Sequence, residues 1–292
     1  MAAGSAFDKT NPPAATPPVD APEEYSGDPN FMASLARGLL VIRAFSEYRR
    51  HLTISQISQS TGLSRAAVRR CLYTLAKLGY AAEDNKRFSL RPQVLTLGHA
   101  YLSSTPLAVL AQPYLDEVSR VLRESCSAAI LDGNDIVYIC RSAETRIMSI
   151  SLLVGTRLPA YCTSMGQVLL AHLPDDELDA YLQQVQLVER TARTITSVAK
   201  LRKAIVQVRE AGFALLDQEL EVGLRSIAVP VRDLRGHVVA AINVGTHASR
   251  ASPADMRGTF LPPLRKCANA LGNVLGSPGA ALQSAGASGS NG

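Results

Sequence analysis

Thr53-Ile-Ser-Gln-Ile-Ser-Gln-Ser-Thr-Gly62-Leu-Ser64-Arg-Ala-Ala-Val-Arg-Arg-Cys-Leu-Tyr-Thr-Leu-Ala-Lys-Leu-Gly79 is the stretch on which the fold turns. Thr53 has the side chain to cap a short helix, Gly62-Leu63 makes a tight turn, Ser64 caps a second helix, and Gly79 supplies a left-handed stop. That order is a helix-turn-helix. At helical spacing Val68, Cys71, Leu72, Leu75 and Leu78 form the core-facing set of the second helix. What remains outward is an i, i+4 row of Arg65, Arg69 and Tyr73, with Ala66, Arg70, Thr74 and Lys77 beside it. The major groove of DNA admits one helix, and guanidinium groups pair in two-pronged fashion with guanine edges or with phosphate. The residues expected to face DNA on this helix are therefore Ser64, Arg65, Ala66, Arg69, Arg70, Tyr73 and Thr74.

The flanks extend the same reading. Upstream, Leu35, Leu39, Ile42 and Phe45 fall on one helical stripe, and Ile54 and Ile57 on the next. Downstream, Tyr80-Ala-Ala-Glu-Asp-Asn-Lys86-Arg87-Phe-Ser-Leu90 places a polar tip between two apolar arms, as a wing hairpin does. Lys86 and Arg87 at that tip are expected to reach backbone phosphate. Residues 31–100 carry eleven Lys and Arg against three Asp and Glu, a net +8 in a chain whose total is +5, which leaves −3 for the other 222 residues. A basic first third on a near-neutral remainder points to a module that binds a polyanion, attached to something else. The plainer alternative is a solvated basic face on a three-helix bundle. Turn, basic helix and wing in the right order argue against it.

The chain has 292 residues, which by length is a prior for two domains. Beyond about Ser103 helices alternate with strand-like runs at Ala128–Leu131, Ile136–Ile139, Ile147–Val154, Phe213–Leu216, Ile227–Val229 and Val238–Val244. Asp132-Gly-Asn-Asp135 and Asp233-Leu-Arg-Gly-His237 read as hairpin turns, so the second part is expected to be an antiparallel α+β domain. Thr105-Pro106 and Ser252-Pro253 are helix-start signatures for helices at 106–124 and 253–275. The expected division is a disordered tail at 1–30, a winged helix-turn-helix at 31–91, a linker helix at 92–105, an effector domain at 106–276 and a second tail at 277–292.

Several classes are set aside. One stretch without charged side chains, Leu158–Pro174, holds two prolines, Gln167 and His172 and fails as a bilayer span. No signal peptide is read at the N-terminus, so the expected location is the cytoplasm, with no membrane partner. Cys71, Cys126, Cys140, Cys162 and Cys267 match neither a disulfide framework nor zinc-ligand spacing, and reduced thiols with no metal are expected. No G-x-S-x-G, H-E-x-x-H, phosphate-loop or dinucleotide motif occurs. Neither a catalytic residue nor a cofactor is expected, and the chain is not read as an enzyme. Gly155-Thr-Arg-Leu-Pro-Ala-Tyr161-Cys-Thr-Ser-Met-Gly-Gln167 leads small and polar residues into an apolar helix at Met165–Leu173. It reads either as a carboxylate seat, with Thr163 and Ser164 hydroxyls beside free N–H groups, or as ordinary capping.

Leu35-Ala-Arg-Gly-Leu-Leu-Val-Ile, Leu52-Thr-Ile-Ser-Gln-Ile, Gly62-Leu-Ser-Arg-Ala-Ala-Val-Arg-Arg-Cys-Leu-Tyr-Thr-Leu and Phe88-Ser-Leu-Arg-Pro-Gln-Val-Leu-Thr-Leu-Gly98 together resemble the winged helix of IclR-family bacterial transcription regulators. The similarity runs over roughly residues 31–275. It implies a GAF-like domain that binds a small-molecule effector. Thr163, Ser164, Met165 and Gly166 match the anion end of that pocket, and Tyr161 lies in the same segment. Gly212 to Pro230 resembles the family's signature loop, which implies Asp217, Glu219 and Ser226 on the pocket wall, with Asn243 facing the same space. Arg146-Ile-Met-Ser-Ile150 followed by Gly155–Gly166 resembles the pca-type and pob-type subgroup, regulators of protocatechuate and 4-hydroxybenzoate breakdown. Gln167 stands where that subgroup commonly has Arg, and Cys162 where Ala is common. Arg146 is expected at the effector, and Arg141 and Arg157 are alternative charge partners. The implied partners are a palindromic or repeated double-stranded DNA operator, a small aromatic or dicarboxylic acid, and a second copy of the chain in a dimer or tetramer, because one such module reads only a few bases. RNA polymerase is a further candidate partner.

Overall fold

The structure, a computed structural model, describes residues 28–46, 49–104, 106–143 and 152–275. The chain divides into two compact units, up to Ala100 and from Tyr101 onward. The terminal tails, beyond residues 28–30, lie outside the described residues, as do Thr105, Arg146 and the stretch 147–151.

The first unit is built by local signals. Helix α1 (Ala33–Arg43) is followed by α2 (Ile54–Thr61) and α3 (Arg65–Lys77). Thr53 caps α2 with a reciprocal box: its Oγ1 accepts from Gln56 N at 3.3 Å, and Gln56 Oε1 accepts from Thr53 N at 2.9 Å. Gly62 closes α2 at φ +72°, and Ser64 Oγ accepts from Ala67 N at 3.2 Å to open α3. Strands β1 (Ala81–Asp84) and β2 (Arg87–Leu90) pair as a hairpin. Its two-residue tip, Asn85-Lys86, has positive φ at both positions, the turn whose twist matches paired strands. Leu52 joins β2 through reciprocal bonds to Phe88 of 2.9 and 2.7 Å, giving the hairpin a third partner.

Val41, Leu52, Ile57, Val68, Leu72, Leu75, Ala81 and Phe88 form the core of this unit. Three expected core positions are not in it. Leu35 and Leu39 are 58% and 50% exposed, and Leu78 is 62% exposed. Helix α1 buries Val41 instead, so only its last turn meets the core. Leu78 sits at the C-cap of α3, where the chain is already turning toward Gly79.

A short 3-10 turn (Pro92–Val94) leads into α4 (Leu95–Ser104). In the second unit, α5 (Pro106–Leu122) precedes the hairpin of β3 (Ser125–Asp132) and β4 (Asp135–Ser142). Then come β5 (Arg157–Pro159), a 3-10 turn (Ala160–Cys162), α6 (Ser164–Leu170), α7 (Asp175–Gln184) and α8 (Val198–Ala211). Strands β6 (Ala214–Asp217), β7 (Leu224–Arg232) and β8 (Val238–His247) complete a six-stranded sheet. Its order is β5-β4-β3-β8-β7-β6, antiparallel throughout. The chain ends its described part in α9 (Pro253–Asp255), a π turn (Met256–Phe260) and α10 (Leu261–Leu275). The architecture is thus α+β, a winged helix-turn-helix followed by an antiparallel sheet with helices on both faces.

One face of the sheet packs Leu107, Leu115, Met256, Leu264 and Leu271 against Ile139, Ile227 and Ile242. The other packs α6, α7 and α8 through Met165, Leu170, Leu182 and Ile205. The strand expected through Val154 is not formed at Leu152–Val154. Strand β5 falls instead inside the polar segment read as leading into the helix at Met165–Leu173, where Arg157, Leu158 and Pro159 pair with Val137, Ile136 and Asp135 of β4.

A bulge sets which way β4 faces. Ala128 pairs with Cys140, but Ala129 pairs with Tyr138, so Ile139 is the extra residue. Tyr138 belongs to the core on the α6 side, whereas both Ile139 and Cys140 belong to the core on the α10 side. The extra residue shifts the alternation by one, and Arg141 regains the face of Tyr138. Among the described residues no single helix is long and apolar enough to cross a membrane.

Candidate functional site

Helix α3 is held from below by Val68, Leu72 and Leu75, which fixes the opposite face outward. Ser64, Arg65, Ala66, Arg69, Arg70, Tyr73 and Thr74 are all exposed there, and Lys86 and Arg87 are exposed at the tip of the hairpin. None of Arg65, Arg69, Arg70, Lys86 and Arg87 forms an ion pair among the described residues. Two of the hydroxyls already have work: Ser64 caps the helix, and Thr74 Oγ1 donates to Arg70 O at 3.0 Å. Lys77 Nζ lies 5.5 Å from the centre of the Tyr73 ring, so the ring is flanked by a cation. A cationic face without internal counter-ions, on a helix that stands proud of its core, is chemically suited to phosphate and base edges.

In the second unit a small cavity of about 40 Å³ opens on the α6 face of the sheet. Its floor is strand: Ser125 and Ser127 from β3, Tyr138 and Arg141 from β4, Ser226 from β7, Asn243 and Gly245 from β8. Its rim is Leu152, Cys162, Thr163, Ser164 and Met165 on one side and Leu216, Glu219, Leu220 and Leu224 on the other. Of the ten residues expected at an effector, Thr163, Ser164, Met165, Glu219, Ser226 and Asn243 line this space.

Four do not. Tyr161 is buried behind the rim, its hydroxyl donating to Val188 O at 2.7 Å and accepting from Val188 N at 3.2 Å. Gly166 packs so closely on Ala160 that a side chain there would overlap the Ala160 carbonyl. Asp217 points away into a pair with Arg225 at 2.7 Å and a second with Arg193. Burial raises the Asp217 carboxyl, but the Arg225 hydrogen bond, then Gln218 and the two guanidinium charges, hold it below its ordinary value. Arg146 lies outside the described residues. Of the alternative arginines, Arg157 is taken by Asp132 and Asp135 at the β3–β4 turn, and Arg141 is the one in the cavity.

Arg141 has no carboxylate partner among the described residues. Its Nη1 donates to Ser127 Oγ at 3.2 Å, and burial lowers its pKa from the free value. Burial pushes the Glu219 carboxyl up to about 7, partly offset by Gln167 Nε2 at 3.4 Å. Burial also pushes Tyr138 and Cys162 each up to about 12, so both stay protonated. The Ser164 hydroxyl is buried with no hydrogen-bond partner among the described residues. Helix α6 has only seven residues, and its Gly166 N–H is already bonded to Thr163 Oγ1 at 3.2 Å. The capping reading of that segment is therefore the one its geometry expresses, and Arg141 is the cation that lines the space among the described residues. A half-buried cation without a counter-ion among the described residues, sharing a cavity with an orphan hydroxyl and a row of polar side chains, is a complement for a carboxylate.

The sequence carried a trace of the floor: Ser125 and Ser127 alternate on β3 among otherwise apolar residues. His172 stands apart from the cavity, its Nδ1 2.8 Å from Val168 O and its pKa lowered by burial. Among the described residues no cluster of three or more His, Cys, Asp or Glu side chains forms a metal site.

Comparison with known proteins agrees with both halves. The family profile described as "IclR helix-turn-helix domain" matches residues 34–85, and that described as "Bacterial transcriptional regulator IclR C-terminal" matches residues 99–273. The chain is 56% identical over 254 residues to the Pca regulon regulatory protein of Pseudomonas putida, covering 87% of each. It is 34% identical over 251 residues to the p-hydroxybenzoate hydroxylase transcriptional activator of Acinetobacter baylyi, covering 84% of this chain and 93% of that one. A solved transcriptional regulator from Rhodococcus sp. RHA1 superposes with a TM-score of 0.75 at 50% identity, over 83% of this chain and 97% of the other.

Proposed function

Because this chain belongs to the IclR family of bacterial transcription regulators, we propose that it governs genes of aromatic-acid breakdown by binding an operator through its first unit and a small organic acid through its second. The observation that carries the effector half is Arg141, a cation in a cavity with no carboxylate of its own. The relatives support the substrate class: one is named for the Pca regulon and one for p-hydroxybenzoate hydroxylase.

On this reading the DNA-contacting set is Ser64, Arg65, Ala66, Arg69, Arg70, Tyr73 and Thr74 on α3, with Lys86 and Arg87 on phosphate. The effector set is Arg141, Thr163, Ser164, Met165, Glu219, Ser226 and Asn243. The working division is 31–91 for DNA, 92–105 as connecting helix and 106–276 for the effector. A repeated operator read by a dimer or tetramer follows from the few bases one module spans. The protein acts in the cytoplasm, where its DNA is, with RNA polymerase as the machinery it influences, and it carries out no catalysis. The effector changes DNA binding only by as much as it binds the two arrangements of the protein differently.

A thermal-shift panel of 4-hydroxybenzoate, protocatechuate, 3-oxoadipate, quinate and shikimate tests the effector half. A ligand at about 100 times its Kd adds roughly 2.7 kcal/mol to the folded state. At least one acid is expected to raise the melting temperature of the full-length protein, and Arg141→Ala to abolish that rise. Silence from every acid in a protein that still binds a palindromic operator removes the aromatic-acid assignment.

A further inference from the structure

Arg141 and Glu219 share the cavity without touching: β4 and the loop after β6 are separated in the sheet by β3, β8 and β7, and no ion pair links them. Glu219 is poorly supplied for carrying a charge. Its side chain has one described hydrogen bond, from the neutral Gln167 amide at 3.4 Å. The arginines near its loop are engaged elsewhere. Arg193 and Arg225 both pair with Asp217, and Arg190 acts on the Tyr161 and Cys162 side, forming no ion pair with Glu219 although its Nε is buried without a hydrogen-bond partner among the described residues. The remaining groups facing the loop are Tyr138 on β4 and Cys162 before α6, both protonated, Glu221 within the loop, whose carboxyl burial also raises, and His247 of β8 over Gly223. An organic anion seated on Arg141 takes up the cation that lines the cavity among the described residues, and an ionised Glu219 would then be a second anion in the same space.

We propose that Glu219 is a specificity-determining residue of the effector cavity that becomes, or stays, a neutral acid in the complex, so that binding an anionic effector carries a proton onto its carboxyl. This rests on the reading of the cavity as an acid-binding site. The sign follows from linkage. In the free protein Glu219 titrates at about 7, and a nearby anion raises it further. Below that pH the carboxyl is neutral in both states, and affinity is independent of pH. Above it the free protein must gain a proton to bind, and affinity falls by up to about ten-fold per pH unit until the bound-state pKa is reached.

The test is isothermal calorimetry on the full-length protein between pH 6 and 8.5, with whichever of 4-hydroxybenzoate, protocatechuate or 3-oxoadipate stabilises it most at pH 6. The expected result is a Kd that is level below about pH 6.5 and weakens toward ten-fold per unit above pH 7.5, with a binding enthalpy at pH 8 that differs between phosphate and Tris by the difference in the heats with which the two buffers release the proton taken up. Glu219→Gln is expected to flatten the profile and bind at pH 8.5 about as tightly as the unaltered protein does at pH 6. A level profile in the unaltered protein, an enthalpy independent of buffer, or an unchanged slope in Glu219→Gln overturns the proposal while leaving the acid site standing. The first two readouts need no variant, so a misfolded Glu219→Gln does not rescue it. If no acid binds at any pH, the cavity reading and this inference fall together.

Discussion

Replacing Gly166 with alanine adds one methyl group in a place where this fold has no room for it. The ideal Cβ position lies within 3 Å of three Ala160 atoms, its carbonyl oxygen, Cα and carbonyl carbon, and all three are backbone. No flexible side chain is available to move aside, so either α6 or the turn Ala160–Cys162 must shift. Overpacking of a close-packed interior costs about 1–3 kcal/mol. A backbone obstacle belongs at the upper end, about 3 kcal/mol, which for a unit of this size lowers the melting temperature by roughly 6–12 °C. The chain has no tryptophan, so near-ultraviolet circular dichroism reports its tyrosines, and Tyr138, Tyr161 and Tyr181 are all buried in the core around α6. Their signal is expected to melt early in Gly166→Ala. Because Cys162 and Thr163 follow the displaced turn into the cavity rim, effector affinity is expected to fall with it. A melting temperature within about 1 °C of the unaltered protein, with effector binding intact, would refute the claim that this contact holds the rim.

Arg69→Ala and Arg70→Ala are each expected to lose roughly 1–3 kcal/mol of binding to the specific operator, whereas Lys86→Ala should weaken all DNA sequences alike and reduce the salt slope by about one; fluorescence anisotropy at several salt concentrations separates the two behaviours. Thr53→Ala removes the side-chain half of the box that starts α2 and leaves the backbone N–H of residue 53 bonded to Gln56 Oε1, and a loss of about 1 kcal/mol in urea unfolding is expected.

The first unit was legible because its signals are local. Thr53 and Ser64 announce a start through bonds to residues three away, and Gly62 and Gly79 a stop through a left-handed backbone. What escaped were the ends of helices. Leu35, Leu39 and Leu78 obey the helical period yet are exposed, because periodicity marks a face but does not say how many turns of it meet a partner. In the second unit five of the six strands, all but β5, and both hairpin turns could be read from alternation and turn residues. The choice among Arg141, Arg146 and Arg157 could not. Without the extra Ile139, alternation puts Arg141 on the side of Ile139, away from the cavity; the bulge that reverses this is a property of pairing with β3 and leaves no mark on β4 alone. Likewise, Asp217 and Glu219 lie two residues apart and would share a face in a regular strand. Gln218 has φ +66° and ends β6 there, so Asp217 turns to Arg225 while Glu219 turns into the cavity.

The central pair of the sheet, β3 with β8, joins Ser125–Ala129 to Ala241–Gly245, over a hundred residues later in the chain. A ribosome adding about 5–20 residues per second leaves β3 waiting on the order of ten seconds for that neighbour. Everything the winged unit needs has been translated well before then, and its contacts are short-range, the kind that form fast. During each round of synthesis the nascent chain thus has the means to finish its DNA-reading half while its sensing half still lacks the strand that closes the sheet. The half-made sheet in that interval, with β3 lacking its β8 neighbour, is the stage at which this protein is most exposed to misfolding or to capture by chaperones.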